Sequence, residues 1–113
     1  MLKVIDLEMG AEILGGDQKM AKDMLTMLVG TLDESRTNLL TAYQNKRYDQ
    51  LEFVVHKLHG GAAYCGVPQL KEAARQLESI LKSQKLDQVD EAFSELTHAL
   101  QNLMDAFACL NES

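Results

Sequence analysis

The sequence predicts an all-α protein: an antiparallel, up-down four-helix bundle with one short extra helix at its N-terminus. Three observations lead there. Apolar residues recur in alternating steps of three and four along nearly the whole chain, the spacing that lines one face of a helix. Leu, Ala, Met, Gln, Glu and Lys dominate, β-branched residues are few and there is a single Pro, a mixture that favours helix. No segment alternates with period two, so no strand is assigned.

The first helix is short, about residues 6–14. Asp6 is a plausible N-cap, Leu7, Ala11 and Leu14 share a face, and Gly15-Gly16 ends it, because glycine tolerates the left-handed conformation at a helix C-terminus. The second is long, about 17–44. Asp17 can cap it, and its stripe runs Ala21, Leu25, Leu28, Leu32, Ser35, Leu39 and Tyr43, with Gly30 a weak spot inside. Asn45-Lys46-Arg47 is a polar break. The third helix, about 50–65, opens on Asp49 and Glu52, which resemble a capping box, and buries Leu51, Val55, Leu58, Ala62 and Cys65.

Gly66 stops that helix, and Pro68 suits the first position of the fourth, about 68–82, which carries Leu70, Ala74, Leu77 and Leu81. After a polar loop from Ser83 to Leu86, Asp87 can cap a fifth helix, about 88–110, with Phe93, Leu96, Leu100, Leu103, Phe107 and Leu110 on one face. Four long amphipathic helices with short connections bury their stripes most simply as a bundle, with the short helix lying across one end.

The 113 residues, 46% hydrophobic and 25% charged, suit one soluble globular domain spanning 1–113 rather than a disordered chain. A net charge of -6 argues against DNA, RNA and anionic membrane surfaces as partners. No apolar run approaches the roughly 18 residues that a membrane-spanning helix needs, and no signal peptide opens the chain. Cys65 and Cys109 have no metal-type or redox-type spacing and read as free thiols in a reducing, cytoplasmic compartment. The methionines read as gap-filling core.

Local preferences are broken in one place, His56-Lys57-Leu58-His59-Gly60-Gly61-Ala62-Ala63. Two adjacent glycines inside a helix cost about 2 kcal/mol relative to alanine, and such violations concentrate at functional sites. At 100° per residue, His56 lies roughly 140° from the centre of the buried stripe, on the solvent side, with Gly60 beside it one turn later. Phe53, Lys57 and Tyr64 share that outward face, whereas Gly61 and Ala62 lie nearer the packed side. The result is an exposed imidazole with almost no side chain on its C-terminal flank. A neutral ring nitrogen near pH 7 is a good nucleophile.

The bland readings stand beside this one. His56 can be a solvated surface histidine, His59 a half-buried packing residue, Lys57 a solubilising lysine, and Gly61 a close helix contact. Phe53 and Tyr64 can pack under the first helix or a loop. His98 lies off its helix stripe and reads as surface.

The stretch resembles the histidine-containing phosphotransfer (HPt) domain family. The family pattern is a histidine, a leucine two positions on, a lysine, a glycine, small residues, a glycine about ten positions after the histidine and then a leucine. Here it reads His56, Leu58, His59, Gly60, Gly61-Ala62-Ala63, Gly66 and Leu70. His-Lys-Leu-His-Gly followed by Gly-Val-Pro is similar to the C-terminal modules of hybrid sensor kinases of the BarA/GacS type. The motif covers about 15 residues, and the helical layout agrees along the whole chain.

The resemblance implies a phosphoryl-accepting His56 and a Gly60 that gives a partner access; Phe53 and Tyr64 on the outward face, with Ala63, are the candidate docking residues beside them. His59 stands where many members have lysine, which puts in doubt a fixed cation beside the phosphoryl group; His59 and Lys57 are its candidate supports here. Many members also carry a glutamine on the next helix that hydrogen-bonds the active imidazole. The aligned position is Glu78, whose carboxylate can hold a ring N–H and set the tautomer.

The implied partners are CheY-like receiver domains of a hybrid kinase and of a response regulator. They would bring the Mg2+, leaving this module without a cofactor or metal of its own. The implied place is the cytoplasm, including the cytoplasmic C-terminal part of a membrane-anchored sensor kinase. No Gly-rich nucleotide loop follows a strand, so no autonomous kinase activity is expected. Three other readings are weaker: a scaffold bundle with His56 incidental, a metal site from Glu52, His56 and His59, and a hydrolase or transferase using His56 as a base.

Overall fold

The computed structural model describes residues 2–111. Among them the chain forms six helices: α1 (Leu7–Ile13), α2 (Gln18–Gly30), α3 (Leu32–Gln44), α4 (Tyr48–Ala62), α5 (Pro68–Lys82) and α6 (Val89–Asn111). A 3-10 turn, Leu86–Gln88, precedes α6. No strand forms among the described residues, and no helix there is long and apolar enough to cross a membrane. The helices make a bundle of 40 × 25 × 23 Å. Along it α3 lies against α4, α4 against α5 and α5 against α6, with α1 on α2 at one end.

The stripes read from the sequence meet in one core. Leu25, Leu32 and Leu39 join Leu51 and Val55, Leu70 and Leu77, and Leu96, Leu100 and Leu103, all fully buried. Each such side chain contributes about 1.5–3 kcal/mol by leaving water. Tyr43 and Phe93 stack with ring centroids 3.9 Å apart, and the Tyr43 hydroxyl donates to Asp90, tying α3 to α6. Cys65 is buried, which pushes its thiol up from the ordinary value, and Cys109 is exposed; neither is in a disulfide.

Three helices end in the same hydrogen-bonded motif, which sets where the next element begins. In α1, Gly15 has φ 76° and the N–H of Gly16 donates to Ala11 at 2.6 Å. Lys46 (φ 54°), with Arg47 N–H to Ala42 O at 2.9 Å, does the same after α3. Gln84 (φ 55°), with Lys85 N–H to Ile80 O at 3.1 Å, does so after α5. These are Schellman ends, and two of them place a side-chain-bearing residue in the left-handed region.

Several boundaries differ from expectation. The long helix expected over 17–44 is divided at Thr31. Its N–H and hydroxyl both bond the Leu28 carbonyl, at 3.0 and 2.7 Å, a three-residue tightening favoured by the weak helix former Gly30 before it. α4 starts at Tyr48, without the Asp49 capping box, because Arg47 completes the Schellman motif of α3 and the helix follows at once; Arg47 makes no side-chain cap. α4 also ends at Ala62 rather than 65, since the amides of Tyr64 and Cys65 reach back only three residues, to Gly61 and Ala62. Asp87 lies inside the 3-10 turn and does not act as a cap.

The caps proposed for Asp6 and Asp17 form, to the amides of Met9 at 3.0 Å and Met20 at 2.9 Å. Not all methionines fill core: Met24 and Met104 pack against it, whereas Met9, Met20 and Met27 are exposed.

Gly66 has a second role beyond ending α4. Its φ is 62°, and a Cβ there would lie 2.3 Å from the carbonyl oxygen of Asp6. The Asp6 amide donates to the Gly66 carbonyl at 2.7 Å, and the Gln69 amide donates to Lys3 O at 3.1 Å. Bare backbone at Gly66 thus lets the entry to α1 seat on the α4–α5 connection.

Candidate functional site

The site grows out of the α4–α5 pair. On α4, His56 and His59 are three residues apart and so project from adjoining turns toward α5. On α5, Glu78 occupies a core-facing position among Ala74, Leu77 and Leu81 and is the one buried charged residue among those described. A carboxylate in that place needs partners. It has three. Oε2 accepts from Nδ1 of His56, Oε1 accepts from Nδ1 of His59 at 3.0 Å, and Nζ of Lys82 lies 3.5 Å from Oε2.

Burial pushes the Glu78 carboxyl up, but the hydrogen bonds from His56 and His59 and the charge of Lys82 outweigh it, so the group sits below its ordinary value. An ionised Glu78 can only accept, so both Nδ1 atoms carry protons. A neutral His56 then keeps its lone pair on Nε2, which has no hydrogen-bond partner among the described residues.

The ring carrying that nitrogen is open: the His56 side chain is 68% exposed, against 26% for His59 and 8% for Glu78. A Cβ built at Gly60 would meet nothing within 4 Å, whereas one at Gly61 would meet a Leu28 methyl at 3.4 Å. Gly60 is therefore bare surface beside the imidazole, and Gly61 is where α2 approaches α4. Phe53 and Tyr64 are exposed, not tucked under α1 or a loop, and Nζ of Lys57 lies 5.7 Å from the Phe53 ring centroid. With Met27, Leu28 and Gly61 they line a shallow apolar groove beside His56. Ala63 is half-buried at the C-cap of α4.

The structure thus brings His56, His59 and Glu78 into one hydrogen-bonded cluster and sets Lys57, Phe53 and Tyr64 apart on the groove. His98 is exposed on α6. Lys82 was not singled out from sequence. Its signal was the four-residue spacing from Glu78, and it brings a fixed cation to the cluster although His59 replaces the usual lysine. No group of three or more His, Cys, Asp and Glu among the described residues is arranged to hold a metal ion, and no hydrogen bond joins either imidazole to Glu52.

Comparison with known proteins agrees on one family. The Hpt domain matches residues 23–106, which covers α3 to α5 entirely and leaves α1 outside. The chain is 38% identical over 100 residues to the sensor protein GacS of Pseudomonas syringae pv. syringae, covering 88% of this chain and 11% of that one. It is 37% identical over 102 residues to the sensor histidine kinase GacS of Pseudomonas protegens, covering 90% and 11%. With the histidine-protein kinase BarA of Escherichia coli K12 the identity is 29% over 100 residues, covering 88% and 11%. The chain therefore spans about a tenth of the length of these relatives.

A crystal structure of the HPT domain from a Shewanella sensor hybrid histidine kinase superposes with a TM-score of 0.88 at 26% identity, covering 95% of this chain and 92% of that one. With fold, motif and relatives in agreement, this chain belongs to the Hpt domain family, the helical phosphotransfer modules of two-component signalling.

Proposed function

We propose that the module accepts a phosphoryl group on Nε2 of His56 from the phosphoaspartate of one receiver domain and passes it to the aspartate of a response regulator, as the cytoplasmic phosphorelay module of a hybrid sensor kinase. The observation that carries this is the exposed His56 ring, held at Nδ1 by buried Glu78 and flanked by the open backbone of Gly60.

In the first step the Nε2 lone pair attacks phosphorus, the P–O bond to the donor aspartate breaks, and that aspartate leaves as a carboxylate. The Nδ1 proton stays on the ring, which becomes formally cationic, and the Glu78 carboxylate lies against that charge. Reversal onto a second aspartate regenerates neutral His56, so no proton is gained or lost over the cycle. Mg2+ and the charge neutralisation at the acyl phosphate belong to the receivers. This module supplies a nucleophile of fixed orientation, with Lys82 and His59 adjoining the carboxylate behind it.

The test is incubation with a phosphorylated receiver and Mg2+. Acid-labile, base-stable label is expected on the module, lost in His56→Gln and retained in His98→Gln. Label that survives His56→Gln refutes the assignment.

A further inference from the structure

We propose that His59 is a positioning residue for this transfer: by holding one oxygen of Glu78 it locks the other onto Nδ1 of His56, which keeps His56 in the tautomer that presents Nε2 as the nucleophile. The inference rests on the reading of His56 above and deepens it.

The geometry divides the two carboxylate oxygens between two rings, Oε2 to His56 and Oε1 to His59. A glutamate side chain held at one oxygen alone can turn about its last torsion, which is broad and nearly two-fold. Lys82, 58% exposed, lies 3.5 Å from the same Oε2 that bonds His56, so it leaves Oε1 unheld and does not fix that torsion. His59 does so from a half-buried position on the same rigid helix as His56, one turn away.

The choice of tautomer matters chemically. Imidazole in free histidine prefers its proton on Nε2, the nitrogen that must attack. A ring that loses its acceptor at Nδ1 therefore spends part of its time with the nucleophilic lone pair facing the protein. Among the described residues Glu78 is the only hydrogen-bond partner of the His59 ring, so His59 acts on the reaction through Glu78 and is not a catalytic residue.

Ring 15N spectra of the full chain, recorded alongside phosphoryl uptake from a phosphorylated receiver, test this. The wild type should show His56 protonated on Nδ1. His59→Leu should give shifts averaged between tautomers, with maximal uptake down about tenfold and the receiver concentration for half-maximal rate unchanged. His59→Asn, whose amide lies near the Nδ1 position, should restore both readouts. If His59→Leu fails to fold, His59→Gln, whose amide sits at the wrong ring position, should reproduce the loss.

Wild-type ring shifts in the Leu or Gln variant overturn the proposal. So does a defect confined to the half-maximal concentration, or an Asn variant no better than Leu. The spectra need no receiver, so a wild type that takes up no label would sink the phosphotransfer reading without deciding the role of His59 in the ring's tautomer.

Discussion

Replacing Gly60 by alanine should stabilise the protein. Gly60 lies inside α4 and is not among the glycines with positive φ, and its missing methyl would meet nothing within 4 Å. An alanine there relieves the entropic cost of a helical glycine, worth about 0.5–1 kcal/mol. With an unfolding entropy of about 2.1 cal/mol/K per residue, a chain of this size should gain about 2–4 °C in Tm.

Thermal melts followed by circular dichroism give that number, and phosphoryl uptake measured on the same samples gives its functional counterpart. Gly60→Arg should also stay folded, yet slow uptake about tenfold or more, because its side chain lies across the approach to His56. Gly61→Ala is the control for uptake: its methyl meets only the end of Leu28, which can yield, so stability should rise by no more than in Gly60→Ala and uptake should change little. A lowered Tm in Gly60→Ala would show that the position is not open helix. A folded Gly60→Arg that transfers at the wild-type rate would show that partners do not approach over that face. A gain in Tm together with slowed uptake would be the usual direction of a stability–activity trade-off.

Three further outcomes follow from the geometry. Gly66→Ala should lose about 2–4 kcal/mol in denaturant titration, because left-handed strain adds to a methyl driven 2.3 Å from the Asp6 carbonyl; a near-neutral result would mean that α1 is not seated there. Gln84→Gly should gain up to about 1 kcal/mol by relieving the left-handed position at the end of α5; a loss would contradict the Schellman assignment. Glu78 sits below its ordinary value of 4.5, so the stability it contributes is present above that value and is lost as pH falls through the lower folded one. Glu78→Gln should therefore cost about 1–2 kcal/mol near neutral pH, with the gap to wild type closing across that acidic window; a gap independent of pH would refute the ionic reading of the cluster.

Much of this molecule was legible because its physics is periodic. Leu25, Leu32 and Leu39, or Leu96, Leu100 and Leu103, recur at the spacing of a buried stripe, and all are fully buried. Asp6 and Asp17 were legible as caps because a short acceptor before a helix has little else to bond. Features set by backbone geometry were not. Lys46 and Gln84 adopt a conformation that composition assigns to glycine, and the first of them moved the start of α4 away from Asp49. Thr31 divides a continuous stripe through a hydroxyl bond that periodicity does not register.

At the site, the outward face of His56 and Gly60 followed from the helical wheel alone. The pairing of His56 with Glu78 spans 22 positions and came only from family likeness. Lys82 and the double engagement of Glu78 needed coordinates, because nothing in a helical pattern says which charged residues of two helices will share one acid.

An imidazole standing 68% exposed on the outside of a rod, with only an open groove to one side, is not enclosed by walls that could sort one visitor from another by shape. In the proposed relay, recognition has to be spread over a broad footprint, and two visitors that both need the same nitrogen must occupy that footprint in turn. On that proposal the first must depart before the second can land, so release of the earlier complex would set a ceiling on throughput. Tighter embrace of either one would slow the traffic.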